Sequence, residues 1–103
     1  MANICSNKFY FECENNFQKY LDDFKTVLEC DIEVGDYYNN GGYCDGWFES
    51  RWTFPMARIK GLFDPKDGCY FRCLSEEYGC GYVAMNIYKD GEWRDEQCFD
   101  LWK

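Results

Sequence analysis

The chain has 103 residues, of which 21% are aromatic, and its formal net charge is −8. This length and aromatic content predict one globular domain, residues 1–103, and exclude an intrinsically disordered chain. The acidic balance argues against direct binding to nucleic acid or to an anionic membrane, because both need clustered Lys and Arg.

The first predicted elements are a strand and a helix. Residues 8–13 alternate apolar and polar side chains, which predicts a half-buried strand. Residues 14–30 carry apolar side chains at helical spacing and predict an amphipathic helix of about four turns. Asn15 or Asn16 is expected to cap its start by accepting a backbone N–H. The predicted core stripe of this helix comprises Phe17, Tyr20, Leu21, Phe24, Val27 and Leu28.

Residues 31–46 have the composition of a loop, rich in acids, tyrosine, asparagine and glycine. Residues 31–34 alternate acidic and apolar side chains, which allows a short edge strand. The Asn and Gly residues at 39–42 tolerate positive φ and predict a turn.

Residues 47–54 predict a strand that Pro55 ends, because proline cannot donate to a ladder. Residues 56–63 then indicate a short helix, and residues 64–68 indicate a turn. One face of the predicted strand carries Phe48, Ser50, Trp52 and Phe54.

The last third of the chain predicts three further strands. Residues 69–75 and 81–88 are two of them, joined by a hairpin turn or a bulge at residues 76–81. Asp90-Gly91 is a strong signal for a short hairpin. Residues 93–102 predict a last strand at an acidic sheet edge, where like charge blocks unwanted pairing.

The predicted order is therefore β, α, possible β, β, short α, β, β, β. Strands interrupted by two helices favour an α+β fold with helices on one face of an antiparallel sheet. The nearest common arrangement is ferredoxin-like, with one long and one short helix packed on one face.

The chain contains eight cysteines and no histidine. No export signal is visible at its start and apolar residues are plentiful, which favours free thiols as small buried hydrophobes. A disulfide framework of a secreted module is an alternative. A zinc site is a further alternative, with Cys69, Cys73 and Cys80 as the closest cluster, although no Cys-x-x-Cys pair occurs.

Three short stretches resemble the YubB-type ferredoxin-like domains encoded by plasmids and phages. They are "MANICSN" before a strand, "FESRWTFP" leading into a short helix, and "LSEEYGCGY" between two strands. The resemblance implies the fold and an origin on a mobile genetic element. It implies a structural role for Trp52 and Pro55, as a core aromatic and a strand stop. Here the family's insertion before the Trp-Pro strand is reduced to about residues 30–46, and no catalytic residue is carried over.

The sequence gives little support for catalysis. Without histidine it lacks the usual general base and the commonest metal ligand. We therefore expect a protein that is not an enzyme, with no catalytic residue, metal site or cofactor. Three adjacent acid pairs are expected to be solvated surface: Asp22 with Asp23, Glu76 with Glu77, and Asp95 with Glu96.

No basic residue occurs between Lys25 and Arg51, where six acids and three tyrosines lie instead. Tyrosine is a favoured interface residue, and spaced carboxylates can imitate phosphates toward Arg and Lys. A solvated loop whose tyrosines partly cover the core is the plainer interpretation. The predicted partner-binding residues are Asp31, Glu33, Asp36, Tyr37, Tyr38, Tyr43, Asp45 and Glu49.

These observations predict a small acidic protein of a phage or other mobile element, acting in the cytoplasm of a bacterial host cell. It would bind the basic surface of a nucleic-acid-binding nuclease or effector, such as a CRISPR effector or a restriction enzyme, and inhibit it by nucleic-acid mimicry. No direct nucleic-acid or membrane contact is expected. The alternatives are a disulfide-stapled secreted interaction module and a zinc-binding regulator.

Overall fold

The computed structural model describes residues 4–38, 40–77, 79 and 81–100, with the backbone alone at residues 37, 38 and 95–100. The elements, in chain order, are β1 (Ile4–Cys13), α1 (Phe17–Leu28), β2 (Asp31–Tyr38), β3 (Gly41–Arg51), α2 (Met56–Ile59), a 3-10 turn (Pro65–Asp67), β4 (Tyr70–Glu77), β5 (Tyr82–Lys89) and β6 (Glu92–Asp100).

The strands form one sheet in the order β2-β3-β1-β4-β5-β6. Every pair of neighbouring strands is antiparallel. β1 lies inside the sheet because its alternating sequence offers one face to a core while its backbone pairs on both sides. The Asp90-Gly91 hairpin is confirmed, since both residues have positive φ and Lys89 pairs with Glu92.

Both helices pack on the same face of the sheet. The buried side of α1 meets β1 and β4 through Phe24, whose ring centroid lies 5.1 Å from that of Phe9 and 6.0 Å from that of Phe71. Ile59 of α2 is buried in the same cluster. The predicted α+β architecture is therefore confirmed, with one long and one short helix on a six-stranded antiparallel sheet. The sheet has two strands more than the four of a β-α-β-β-α-β unit.

The start of α1 differs from the predicted cap. Asn16 is the N-terminal flanking residue, but it has left-handed φ of 62° and its side chain accepts no capping hydrogen bond. Its amide instead donates to Asp67 Oδ1 at 3.0 Å. Asp67 also accepts from the Tyr20 hydroxyl, and its backbone carbonyl accepts from Glu14 N and Asn15 N. Asp67, about 50 positions later in the chain, thus supplies the hydrogen-bond acceptors around the start of α1.

The loop prediction for residues 31–46 is wrong, because the segment belongs to the β2–β3 hairpin. The edge strand suggested by residues 31–34 is confirmed and extends to Tyr38, which pairs with Gly41. Glycine disfavours strands on its own, but here two glycines of β3 lie beneath buried rings. A Cβ at Gly42 would lie 2.7 Å from the Phe17 ring, and one at Gly46 2.2 Å from Phe9.

Trp52 was predicted to be a core aromatic, and this prediction is wrong. β3 ends at Arg51, and Trp52 adopts a left-handed backbone with φ 71°. This conformation breaks the alternation of the strand, so the indole is 48% exposed while Phe54 is buried. Pro55 therefore does not stop the strand, which ends four residues earlier.

Glu77 was predicted to be solvated and is instead buried, with 4% of its surface exposed. Its Oε1 accepts a hydrogen bond from the backbone N–H of Gly79 at 2.7 Å. Burial of an acid is tolerated where hydrogen bonds replace water. The side chains of Asp95 and Glu96 lie outside the described residues, as do Tyr78 and Cys80 of the predicted turn.

The six cysteines whose side chains are described have free thiols, in agreement with the free-thiol prediction. Five are buried and Cys30 is half-buried. No group of metal-ligating side chains occurs in the described part of the chain. Neither the disulfide module nor the zinc regulator gains support from these six residues.

The buried thiols predict a loss of stability in alkali. Burial raises the pKa of Cys13, Cys44 and Cys73 from 9.0 to about 12. The unfolded chain loses these protons near pH 9, whereas the folded chain keeps them until about pH 12. Their stabilising contribution is therefore complete below pH 9 and is lost as the pH rises from about 9 through 12.

We expect the Tm to fall progressively above pH 9, as measured by circular dichroism. A Cys73→Ala variant should be less stable at pH 7 but should show a shallower decline. An unchanged slope in that variant would contradict a thiol contribution.

No helix in the described ranges is long and apolar enough to cross a membrane.

Candidate partner-binding face

None of the described helices or loops packs on the face of the sheet opposite the helices, and we call it the open face. On β1 it carries the alternate residues Ser6, Lys8, Tyr10 and Glu12, while Phe9 and Phe11 point into the core. Because residues directly opposite in an antiparallel sheet share a face, the register shows which side chains lie together here.

Four of the predicted binding acids lie on the open face of the β2–β3 hairpin. Asp31 lies opposite Trp47, and Glu33 lies opposite Asp45. Glu49 follows Trp47 by two positions and therefore lies on the same face. All four acids are exposed. The structure thus gathers them on paired strands instead of a loop.

The acids on this surface form no ion pair with a described cation, although Lys8 lies on the adjacent strand opposite Trp47. The opposed carboxylates of Glu33 and Asp45 repel each other, which destabilises the pair. Within the described part of the chain, the one ion pair joins Lys19 and Asp23 on α1. The sequence therefore retains an unfavourable charge arrangement that a cationic partner would relieve.

Tyr43 is held in place by its neighbours. Its ring lies over Gly35, where a Cβ would approach Cε2 to 2.1 Å. Its hydroxyl donates to Asp36 Oδ2 at 3.4 Å. The register of β2 shifts between Val34 and Tyr37, and this irregularity brings Asp36 beside the ring.

Tyr37 and Tyr38 are strand residues, paired with Gly42 and Gly41. Their side chains lie outside the described residues. Of the eight predicted binding residues, the structure therefore brings six together on this surface.

Trp47 is a member of the surface that the sequence analysis missed. Its side chain is 46% exposed. It lines a cleft of about 320 Å³ together with Ser6, Glu29, Asp31 and Glu49. Trp47 and Glu49 lie two positions apart in the predicted strand, so its alternation already indicates a common face for them. The pairing of Trp47 with Asp31 depends on the strand register, which the sequence alone does not give. We call Asp31, Glu33, Asp36, Tyr43, Asp45, Trp47 and Glu49 the acidic half of the open face.

The centre of the open face is aromatic. The Arg72 guanidinium lies 4.8 Å from the ring centroid of Tyr10 and 5.8 Å from that of Tyr70. The Tyr10 and Tyr43 centroids are 6.2 Å apart. Burial, assisted by the nearby charge of Glu12, raises the pKa of Tyr10 and keeps its hydroxyl protonated. Arg72 thus stacks between two rings and lines a cleft with Lys8 and Asp45 without forming an ion pair with Asp45.

A cleft of about 700 Å³ lies elsewhere, at the end of the sheet where β1 stops and β4 begins. Its walls mix Arg72 and Lys89 with Glu12, Glu14 and Asp90, and it offers no single charge preference. The acidic half is shallow by comparison and suits contact with another macromolecule better than capture of a small molecule.

The chain was compared with family models, curated proteins and solved structures, and it matches none of them.

Proposed function

We propose that the protein binds the basic, nucleic-acid-binding surface of another protein through the acidic half of its open face. The observation that carries this proposal is the set of exposed carboxylates around Trp47 that form no ion pair within the described part of the chain. Arg and Lys of a partner would form charge-assisted hydrogen bonds with them.

The paired strands suit the mimicry of a nucleic-acid backbone. Alternate residues on one strand lie about 6.8 Å apart, and adjacent strands are about 4.8 Å apart. Asp31 and Glu33 therefore form a regular row beside Asp45. Because the sheet already fixes this row, little conformational freedom is lost on binding, whereas a mobile loop would lose much more.

The specific form of this proposal is an inhibitor encoded by a phage or other mobile element. It would occupy the nucleic-acid site of a CRISPR effector or restriction enzyme in the cytoplasm of a bacterial host, without catalysis and without touching nucleic acid. The three motifs that resemble YubB-type domains support this origin. The order β2-β3-β1-β4, with helices after β1 and β3, supports a ferredoxin-like unit that β5 and β6 extend.

Charge reversal tests the proposal. A Glu33→Lys, Asp45→Lys variant should weaken binding and inhibition of the target nuclease by about tenfold or more, because cations would then face cations. Affinity is measured by calorimetry and inhibition by a nucleic-acid cleavage assay. Added nucleic acid should compete with the wild-type protein for the target.

The matched control is Glu14→Lys, Asp22→Lys, which makes the same change in net charge at exposed positions near or on α1. Its affinity should stay within about threefold of wild type, since screened, distant charges act weakly. Equal losses in both variants would leave only a net-charge effect and reject the acidic half as the binding surface. If no nuclease in a panel of effectors is inhibited, the anti-defence role is wrong.

A further inference from the structure

The other half of the open face differs from the acidic half. On β4 and β5 it carries the half-buried apolar side chains of Leu74, Met85 and Ile87. Exposed cations lie beside them, with Arg72 opposite Ile87 and Ile87 opposite Arg94 of β6. We call these five residues the cationic half.

Along one row of directly opposed residues, charge changes sign from the β2 edge to the β6 edge. Glu33 and Asp45 lie at one end of this row, and two arginines lie toward the other end. The complete row is Glu33, Asp45, Tyr10, Arg72, Ile87 and Arg94. The next row places Trp47 beside Lys8, followed by Leu74 and Met85.

We propose that the open face binds a second copy of this chain, face to face, about a two-fold axis along the centre of the sheet between β1 and β4. In such an isologous interface each surface meets its own complement. The rotation lays β2 over β6, β3 over β5 and β1 over β4. The acidic half of each copy then covers the cationic half of the other.

Specific contacts follow from the strand positions. Glu33 faces Arg94 of the second copy, and Trp47 faces its Met85. Face-to-face sheets pack about 10 Å apart and rotated by about 30°, so long side chains at the sheet edges reach partners in the same or the next row. The indole that is 46% exposed in the single chain becomes covered by apolar groups.

The area is sufficient for a specific dimer. Six strands at about 4.8 Å span about 29 Å, and eight residues at about 3.4 Å span about 27 Å. Their product, about 780 Å², is close to the roughly 800 Å² per partner of a standard interface. The net charge of −8 opposes association, and about 0.15 M salt limits this repulsion to about 8 Å.

The inference goes beyond the proposed function and does not rest on it. The dimer would cover the acidic half, so a second copy and a basic partner would exclude each other. Arg94→Glu separates the two ideas, because it removes a dimer contact and leaves every residue of the acidic half in place.

Sedimentation equilibrium of the full chain tests the dimer. The wild type should reach twice its 12.4 kDa mass at high concentration. Glu33→Arg and Arg94→Glu should each weaken dimerisation about tenfold or more, since each places like charges together. The two substitutions combined in one chain should restore dimerisation to within about threefold of wild type.

Arg58→Glu on α2 and Asp22→Arg on α1 are the matched controls, exposed on the helix side of the sheet. Both should dimerise like wild type. A wild type that stays at 12.4 kDa up to about 1 mM would overturn the proposal. At that concentration even a dimer with a dissociation constant of about 1 mM is partly formed. Failure of the combined variant to recover would overturn the proposed arrangement.

Discussion

Replacement of Phe11 by alanine is expected to lower the free energy of unfolding by about 3–5 kcal/mol. The ring is 0% exposed on the helix-covered face of β1. Its centroid lies 5.0 Å from that of Phe24, 5.3 Å from Tyr20 and 5.5 Å from Phe63. These neighbours come from α1 and from the segment after α2, so they cannot all close into the cavity. The loss is a large share of the roughly 5–15 kcal/mol that stabilises a typical domain.

Urea unfolding followed by circular dichroism measures this loss. Tyr10→Ala is the matched control, because Tyr10 is the neighbouring residue on the same strand and its ring lies on the open face. The control should lose less than half as much stability. Equal losses would show that the open face is packed as tightly as the helix side, in conflict with the described core.

A methyl group at Gly46 is expected to destabilise the protein by about 3 kcal/mol. The added Cβ would lie 2.2 Å from Cζ of Phe9. That ring is 3% exposed and its centroid lies 5.1 Å from those of Phe24 and Phe71. Since the ring is confined on several sides, Gly46→Ala must displace the backbone of β3 or disrupt the stack.

Gly61→Ala is the control for this substitution. No heavy atom lies within 4 Å of a Cβ at that position, so stability should change by no more than about 1 kcal/mol, in the stabilising direction. A Phe9→Leu, Gly46→Ala double variant should lose less than the sum of the two single changes, because both relieve the same overlap. Strict additivity would be evidence against the contact.

Local sequence patterns predicted the elements whose buried side chains recur at a regular helical or strand spacing. The stripe from Phe17 to Leu28 gave α1, and the alternation of residues 8–13 gave the inner part of β1. Asp90-Gly91 predicted its hairpin because positive φ at both positions is a local property. Each of these signals is contained within a few residues of the chain.

The β3 strand was harder to predict because its stability comes from other elements. Gly42 and Gly46 weaken a strand in isolation, and only Phe17 and Phe9, brought by the fold, explain their presence. Trp52 was misassigned because its left-handed conformation has no sequence signal in a residue that normally avoids it. The burial of Asp67 was not predicted, since it depends on Asn16 and other distant hydrogen-bond partners. Glu77 was treated as a surface acid, although the backbone of Gly79 binds its carboxylate in the buried position.

The candidate site was predicted in composition but not in arrangement. The sequence identified the acids of residues 31–49, yet in a loop they would have had no fixed spacing. The register of β2 with β3 places Glu33 against Asp45 and Trp47 against Asp31. Strand register is set by the whole sheet, and a shift of one residue would send these side chains to the opposite face.

The dependence of the α1 start on Asp67 has a consequence for synthesis of the chain. A helix winds within about a microsecond, but at about 5–20 residues per second the ribosome needs roughly 3–10 seconds to travel from residue 17 to residue 67. During that interval the nascent helix lacks the carbonyl and carboxylate that complete its first turn, and Phe17 and Tyr20 lack their cover. The apolar stripe of α1 is then left without part of its folded environment until the second half of the chain emerges.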